Sequence, residues 1–276
     1  MLPILFSIGG FQFYTFGAFV VLAFFWGTFA LWKMVTLTSH KEDDFFDAMF
    51  IGLGVGLLFA RLVYVITHFS DFGFNIVRFI LINGYPGLSL YGMVIGMMGM
   101  MALSFMRRKI KILDAFDHIV PGMLLALAIG KIGAFFAGVE VGVRTSFPVA
   151  VKYVGYEGLR HITPAYEGLL LFLAAFLSYK IVFAVRRGAY RKGAPTVFAV
   201  WSFALVMLIA EPFKENRILV SSFSLNGLLS AVFLLTFSGL LLYYFRGIFA
   251  RLPKGPTLSI PFKNKNHGKA NEQKTD

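Results

Sequence analysis

The sequence contains no cysteine and few charged residues, and both absences narrow the class of protein. Without a thiol among its 276 residues, the chain can form no disulfide, no thiolate metal site and no cysteine nucleophile. Charged residues make up 14% of the chain and hydrophobic residues 58%, whereas a soluble domain carries about 25% charged residues. This composition favours a membrane protein over a soluble domain.

Short motifs of several enzyme classes are also missing. The sequence has no phosphate-binding Walker loop and no HExxH zinc motif. The stretch GLSLYG at 87–92 approaches a nucleophile elbow, but Tyr91 stands where the second glycine belongs. The histidines show no ligand spacing; they are His40, His68, His118, His161 and His267. We therefore expect no metal and no other cofactor.

Long apolar stretches are abundant. A helix needs about 20 predominantly apolar residues to cross a bilayer, and the stretches of that length show no strand-like alternation. A backbone in lipid must satisfy its own hydrogen bonds, which favours helices. The predicted spans are 11–32, 46–67, 87–106, 113–139, 165–185, 194–213 and 224–245. The predicted fold class is all-α: a polytopic integral membrane protein with seven transmembrane helices.

Several glycines have the spacing of helix contacts. Small residues four apart on one helix allow a neighbouring helix to approach closely in lipid. The pairs with this spacing are Gly52/Gly56, Gly92/Gly96 and Gly138/Gly142. We expect each pair to mark a close contact between helices.

The distribution of basic residues predicts the orientation and the domain boundaries. Of the 26 lysines and arginines, 18 lie in the loops or span ends of one side and 6 on the other. The positive-inside rule then places the N-terminus outside and the C-terminus in the cytoplasm. We expect one transmembrane domain over 1–245 and a basic cytoplasmic tail over 246–276, disordered after 253. The net charge of +12 suits anionic membrane lipids, and nucleic acid is not expected as a partner.

Polar side chains concentrate at the outer ends of the predicted spans. With a rise of about 1.5 Å per residue, Arg61 lies roughly 24 Å and Lys131 roughly 27 Å from the cytoplasmic ends of their spans. The other polar residues at this depth are Tyr14, Tyr91, Tyr166, Glu167 and Glu211. Charge in a bilayer is costly and usually marks function. The pattern predicts a polar cavity open to the outer leaflet, with cations suited to phosphate.

Local alternatives stay open for individual residues. Tyrosines also anchor helix ends at the membrane interface, which applies to Tyr14, Tyr64 and Tyr91. A structural ion pair is the alternative for Arg61, Glu211 and Lys214. Glu140, nine residues after Lys131, is a possible partner that would neutralise the lysine and give it a structural role.

Six stretches resemble one enzyme family. They are FYTFGAF (13–19), ARLVYV (60–65), GLSLYGMVIG (87–96), DAFDHIVPGMLLALAIGKIGAFFAGVEVG (114–142), RHITPAYE (160–167) and EPFK (211–214). Their order and spacing are similar to those of the prolipoprotein diacylglyceryl transferases, and the resemblance extends over residues 10–245. It implies the same seven-helix topology.

The resemblance implies a reaction, partners and site residues. A diacylglyceryl group would move from phosphatidylglycerol to the lipobox cysteine thiol of lipoprotein precursors, at the outer leaflet of the bacterial cytoplasmic (inner) membrane. The implied partners are phosphatidylglycerol, the precursor signal peptides and membrane lipids. The implied catalytic residues are Tyr91, Lys131, Glu140 and Glu211. The implied substrate-binding residues are Tyr14, Arg61, Tyr64, Lys131, His161, Tyr166 and Lys214.

Four departures from the family pattern bear on the activity. Tyr91 replaces a histidine, Lys131 an arginine, Ala134 an asparagine and Met207 an arginine. Lysine supplies positive charge without the bidentate fork of arginine, and a tyrosine is a poor base at neutral pH. A non-catalytic lipid-binding or accessory protein on the same scaffold is therefore the alternative. A small-solute transporter fits less well, because its polar groups would lie at the membrane midplane.

Overall fold

A computed structural model of the protein describes residues 2–81, 84–220 and 223–249. Within these ranges, seven helices are long and apolar enough to cross a membrane. They are α1 (Thr15–Val35), α2 (Glu42–Thr67), α5 (Leu90–Arg107), α6 (Ile112–Ala137), α7 (Thr163–Arg186), α8 (Ala194–Ala210) and α9 (Leu225–Phe249). The predicted fold class is confirmed, and the predicted spans begin and end within four residues of these helices.

Shorter elements fill the connections at one end of the helices. Two short helices, α3 (Phe69–Phe72) and α4 (Ile76–Ile80), follow α2, and a 3-10 turn at Glu211–Phe213 continues α8. Three antiparallel hairpins pair β1 (Ile4–Ile8) with β2 (Phe11–Tyr14), β3 (Ala150–Val151) with β4 (Arg160–His161), and β5 (Leu219–Val220) with β6 (Phe223–Ser224). We call this the hairpin end. It is the end that the charge distribution predicts to face outward.

The first predicted span began too early. Residues 11–14 form β2 instead of helix, because Gly9 and Gly10 both have positive φ, at 54° and 86°. Two such residues form the tight turn that joins antiparallel strands. The first helix therefore begins at Thr15.

Helix α6 lies at the centre of the bundle. Its apolar part is 50% buried inside the protein, close to the 56% of α8 and far above the 6% of α9. It packs against α1 on one side and α7 on the other. The buried core includes Leu31 of α1, Leu124 of α6 and Leu171 of α7. Residues near the ends of α6 are therefore positioned by several neighbouring helices.

Glycines set the contact between α2 and α5, as predicted for two of the three pairs. A Cβ atom at Gly92 would lie 2.7 Å from the carbonyl oxygen of Phe59, and one at Gly52 would lie 2.7 Å from Met101. The expectation for the third pair is wrong. Gly138 ends α6 in the left-handed conformation, with φ of 70°, and Gly142 lies in the loop that follows.

The chain forms a compact unit up to Phe245, and a second unit begins at Arg246. The predicted orientation of the termini remains a prediction. The predicted disorder of residues 254–276 lies outside the described residues.

Candidate active site

A group of five charged side chains lies at the hairpin end, where α6, α7 and α8 meet their connecting loops. We call it the Lys131 cluster; it consists of Lys131, Glu140, Glu167, Glu211 and Lys214. Lys131 comes from the last turns of α6, and Glu167 from the first turns of α7. The other three residues lie where α6 and α8 pass into loops.

Lys131 is saturated by carboxylates. Its Nζ lies 2.7 Å from both carboxylate oxygens of Glu140 and 2.7 Å from Oε2 of Glu167. A lysine ammonium has three protons to donate, so each has a nearby oxygen. The Lys131 side chain is 8% exposed. The possible pairing with Glu140 is thus present in the structure.

Glu167 links the two lysines, whereas the sequence indicated only that it is a polar residue at the depth of the outer leaflet. It is fully buried, with Oε1 2.7 Å from Nζ of Lys214 and Oε2 2.7 Å from Nζ of Lys131. Each carboxylate oxygen of Glu167 is thus within ion-pair distance of a lysine, but the angles are not those of a hydrogen bond. Lys214 also lies 3.3 Å from Oε2 of Glu211. The sequence feature that could have indicated the role of Glu167 is a carboxylate in the first turns of an otherwise apolar helix.

The cluster has more carboxylates than ammonium groups. Two lysines face three glutamates, which gives a formal charge of −1 when every group is ionised. Burial alone would raise the pKa of Glu140, but the attraction of Lys131 and Lys214 outweighs it and lowers the pKa below the ordinary 4.5. Glu140 is therefore ionised at neutral pH. It is also the most exposed carboxylate of the cluster, at 38%.

Two residues of the predicted site contact the beginning of α9. The hydroxyl of Ser224 donates to Glu211 and also accepts the backbone N–H of Gly227 at 3.2 Å. The buried hydroxyl of Tyr91 hydrogen-bonds to Ser230, one turn further along α9. Glu211 is therefore hydrogen-bonded to a serine just before α9, and Tyr91 to a serine within α9. Met207 is buried in the apolar core.

The loop after α6 is held close to the cluster by a glycine. Gly142 pairs with Lys214 as an isolated antiparallel bridge. A side chain at position 142 would collide with the carbonyl oxygen of His161 and with Thr163. Thr163 in turn donates to the carbonyl of Phe213 at 2.9 Å. This packing brings the loops that carry Glu140 and Lys214 together.

Two aromatic residues of the predicted site, His161 and Tyr166, lie beside this loop packing, whereas the side chain of Tyr14 hydrogen-bonds only within its own hairpin among the described residues. The ring of His161 lies against Phe213, with centroids 5.0 Å apart, and its buried Nδ1 has no hydrogen-bond partner among the described residues. Tyr166 donates to the carbonyl of Val149 at 3.0 Å. Tyr14 is exposed in β2 and donates to Gln12 at 3.1 Å.

Arg61 lies in a different environment from the cluster. Its buried guanidinium donates to the carbonyl oxygens of Arg78, Phe79, Tyr85 and Gly87 at 2.8–3.0 Å. Four hydrogen bonds thus hold the connection between α2 and α5 against the end of α2. Tyr64 belongs to the same contact: its ring stacks on His68 at 4.1 Å, beside Gly87.

These observations define a multi-pass integral membrane protein with a buried charged site at one end of its helices. The chain belongs to the prolipoprotein diacylglyceryl transferase family, whose profile matches residues 3–243. The family is one of transferase enzymes of the bacterial cytoplasmic membrane. The predicted family, enzyme class and location are thereby confirmed.

Curated relatives from several bacteria carry the name phosphatidylglycerol–prolipoprotein diacylglyceryl transferase. The protein of Clostridium tetani is 29% identical over 181 residues, which cover 64% of this chain and 72% of the relative. That of Wolbachia sp. subsp. Drosophila simulans is 28% identical over 218 residues, covering 77% and 82%. That of Clostridium kluyveri is 24% identical over 243 residues, covering 83% and 91%.

Proposed function

We propose that this protein moves a diacylglyceryl group from phosphatidylglycerol to the cysteine thiol of lipoprotein precursors at the outer leaflet. The observation that carries the proposal is the family match over 241 of the 276 residues, together with relatives named for this reaction. The buried charges at the hairpin end support it, because that end is predicted to face the outer leaflet.

The reaction forms one bond, breaks another and moves one proton. The cysteine sulfur forms a bond to the glycerol carbon that carries the phosphate, and the bond from that carbon to the phosphate oxygen breaks. Glycerol phosphate leaves with the electron pair of that bond. The thiol proton needs an acceptor, and the departing phosphate needs positive charge.

The excess carboxylate of the Lys131 cluster suits the role of proton acceptor. We assign the role to Glu211, because its carboxylate has the longest ion pair of the cluster, 3.3 Å to Lys214. It is therefore the carboxylate least compensated by an ammonium group. Uptake of one proton would bring the formal charge of the cluster to zero. Tyr91 would orient this part of the site through Ser230 rather than act as the base.

Lys131 suits the role of phosphate contact once Glu140 moves. Glu140 occupies two of the three oxygen contacts of the ammonium and is the partner most open to solvent. Its displacement by the headgroup would free those donors for phosphate oxygens, while Glu167 would keep the ammonium in place. Lys131 would then act as a point charge, without the fork of an arginine.

The remaining residues are proposed to bind or frame the substrates. Lys214 lies within the cluster, and His161 and Tyr166 lie beside its loops. Arg61 and Tyr64 would act by fixing the connection after α2, which carries the exposed side chains of Phe74 and Ile76. Tyr14 would contact lipid from the first hairpin.

Reconstitution tests the proposal. The purified protein is placed in phosphatidylglycerol nanodiscs with a lipobox peptide, and the mass of the peptide is followed. We expect one diacylglyceryl group to be added to the cysteine, and none to a peptide with serine at that position. Expression of the gene in cells depleted of their own transferase should restore lipoprotein maturation. A folded protein that fails in both settings would support the non-catalytic alternative.

A further inference from the structure

A cavity of about 320 Å³ lies at the other end of the bundle from the Lys131 cluster. The residues after α1, the start of α6, the end of α7 and the start of α8 line it. Asp114, at the start of α6, is separated from Lys131 by roughly 26 Å at a rise of about 1.5 Å per residue. Sites for small molecules begin at about 300 Å³, so the cavity has room for a headgroup.

The two acidic residues that line the cavity are already satisfied. Asp117 accepts the backbone N–H groups of Gly193 and Thr196 at 2.6 and 3.1 Å, and the Thr196 hydroxyl at 2.6 Å. Asp117 thereby satisfies backbone N–H groups at the beginning of α8. Asp114 lies 2.9 Å from the ammonium of Lys192, and His40 lies 3.9 Å from the same oxygen. Neither carboxylate needs a further cation.

Three donor groups on the same walls are at least partly open to solvent and free of hydrogen-bond partners in the part of the chain that the structure describes. The guanidinium of Arg186 and the hydroxyls of Ser39 and Tyr190 have no hydrogen bond or ion pair with any residue in the described ranges. A guanidinium is permanently charged and presents planar pairs of donors that match phosphate oxygens. Val182 and Val185 form an apolar wall beside Arg186. The cavity thus combines an uncompensated cation with an apolar surface.

We propose that this cavity binds the phosphate of an anionic membrane lipid. Arg186 supplies the charge, the Ser39 and Tyr190 hydroxyls supply further donors, and Val185 contacts the glycerol and first acyl carbons. The location agrees with this ligand, because the end of the bundle that carries most basic residues is predicted to face the anionic inner leaflet. The site is separate from the proposed transfer reaction.

The absence of cysteine allows a direct test. Ser39→Cys introduces the only thiol, at an exposed position on the cavity wall. Its alkylation rate is measured in nanodiscs of phosphatidylcholine alone and of phosphatidylcholine mixed with increasing phosphatidylglycerol. Phosphatidylglycerol should slow alkylation severalfold and to saturation. Adding Arg186→Ala should raise the amount needed about tenfold, the loss expected for a charged hydrogen bond.

Arg187→Ala is the matched control, because it removes the same charge from the next residue, which does not line the cavity. It should leave the protection unchanged. Equal alkylation in both kinds of nanodisc would overturn the proposal, as would equal effects of Arg186→Ala and Arg187→Ala. Protection by inorganic phosphate in phosphatidylcholine discs, without protection by phosphatidylglycerol, would identify a free-phosphate site instead. Transfer activity is not the readout, so failure here leaves the proposed function untouched.

Discussion

The two ends of the helix bundle treat charge in opposite ways. At the hairpin end, the charges of the Lys131 cluster are paired with one another, with one carboxylate in excess, and Lys131, Glu167 and Glu211 are buried. At the other end, Asp117 is satisfied by the start of α8 and Asp114 by a lysine, and Arg186 has no hydrogen bond or ion pair with any residue that the structure describes. A buried carboxylate in excess of the ammonium groups is suited to accept a proton. An exposed cation without a protein partner among the described residues is suited to bind the phosphate of a lipid.

The contrast predicts the largest stability loss for Glu167. Glu167→Ala removes a fully buried carboxylate between the ammonium groups of Lys131, which is buried, and Lys214, which is partly buried, so both lose a partner at 2.7 Å. We expect a loss of about 3–5 kcal/mol, measured as a lower midpoint of thermal unfolding in detergent. Glu215→Gln is the control, because Glu215 pairs with Arg160 but is 37% exposed. A loss for Glu167→Ala no greater than that of the control would show that the cluster is not held together by buried charge.

A smaller loss is expected at the opposite end. Asp117→Ala removes three hydrogen bonds at the start of α8, and we expect about 2 kcal/mol, as for a strong helix cap. Asp114→Ala, which breaks a partly exposed pair with Lys192, should cost about 1 kcal/mol or less. The difference between the variants is read from thermal unfolding under the same conditions. Equal losses would mean that burial does not distinguish the two acids.

The smallest effect concerns the pH dependence given by Glu140. Its pKa is lowered in the folded protein, because the attraction of the lysines outweighs burial. The stability that its charge provides is therefore complete at neutral pH and is lost as pH falls below the ordinary 4.5 through the folded pKa. The difference in unfolding midpoint between wild type and Glu140→Gln should stay constant from neutral pH and shrink below that value. A difference that grows on acidification would mean that the pKa is raised.

The sequence predicted the fold better than the contacts of the site. Hydropathy located all seven helices, because length and apolar character decide which segments cross a bilayer. It missed β2, since a four-residue strand after a Gly9–Gly10 turn is too short to interrupt an apolar stretch. The family resemblance was confirmed. The four departures from the family pattern did not indicate which contacts these residues make in the folded protein.

Long-range contacts explain what the sequence left undecided. Arg61 bonds to carbonyl oxygens 17 to 26 residues away, and backbone acceptors leave no signature in residue types. From the sequence, Lys131 could either face a phosphate or pair with Glu140. The loop packing at Gly142, which brings Glu140 close, is visible only in the structure. Glu167 was recognised as polar at the right depth, but not as the link between two lysines.

The central claim is that Lys131 contributes chemistry and not only an ion pair. It is tested most directly by measuring transfer to a lipobox peptide and thermal stability together, for Lys131→Met, Lys131→Arg and the double variant Lys131→Met/Glu140→Gln. Lys131→Arg should retain transfer, because a guanidinium also supplies the charge and binds phosphate well. The double variant should regain stability relative to Lys131→Met, since Glu140 no longer carries an uncompensated charge, but should remain without transfer. Transfer that returns together with stability in the double variant would contradict the claim and leave Lys131 with a structural role alone.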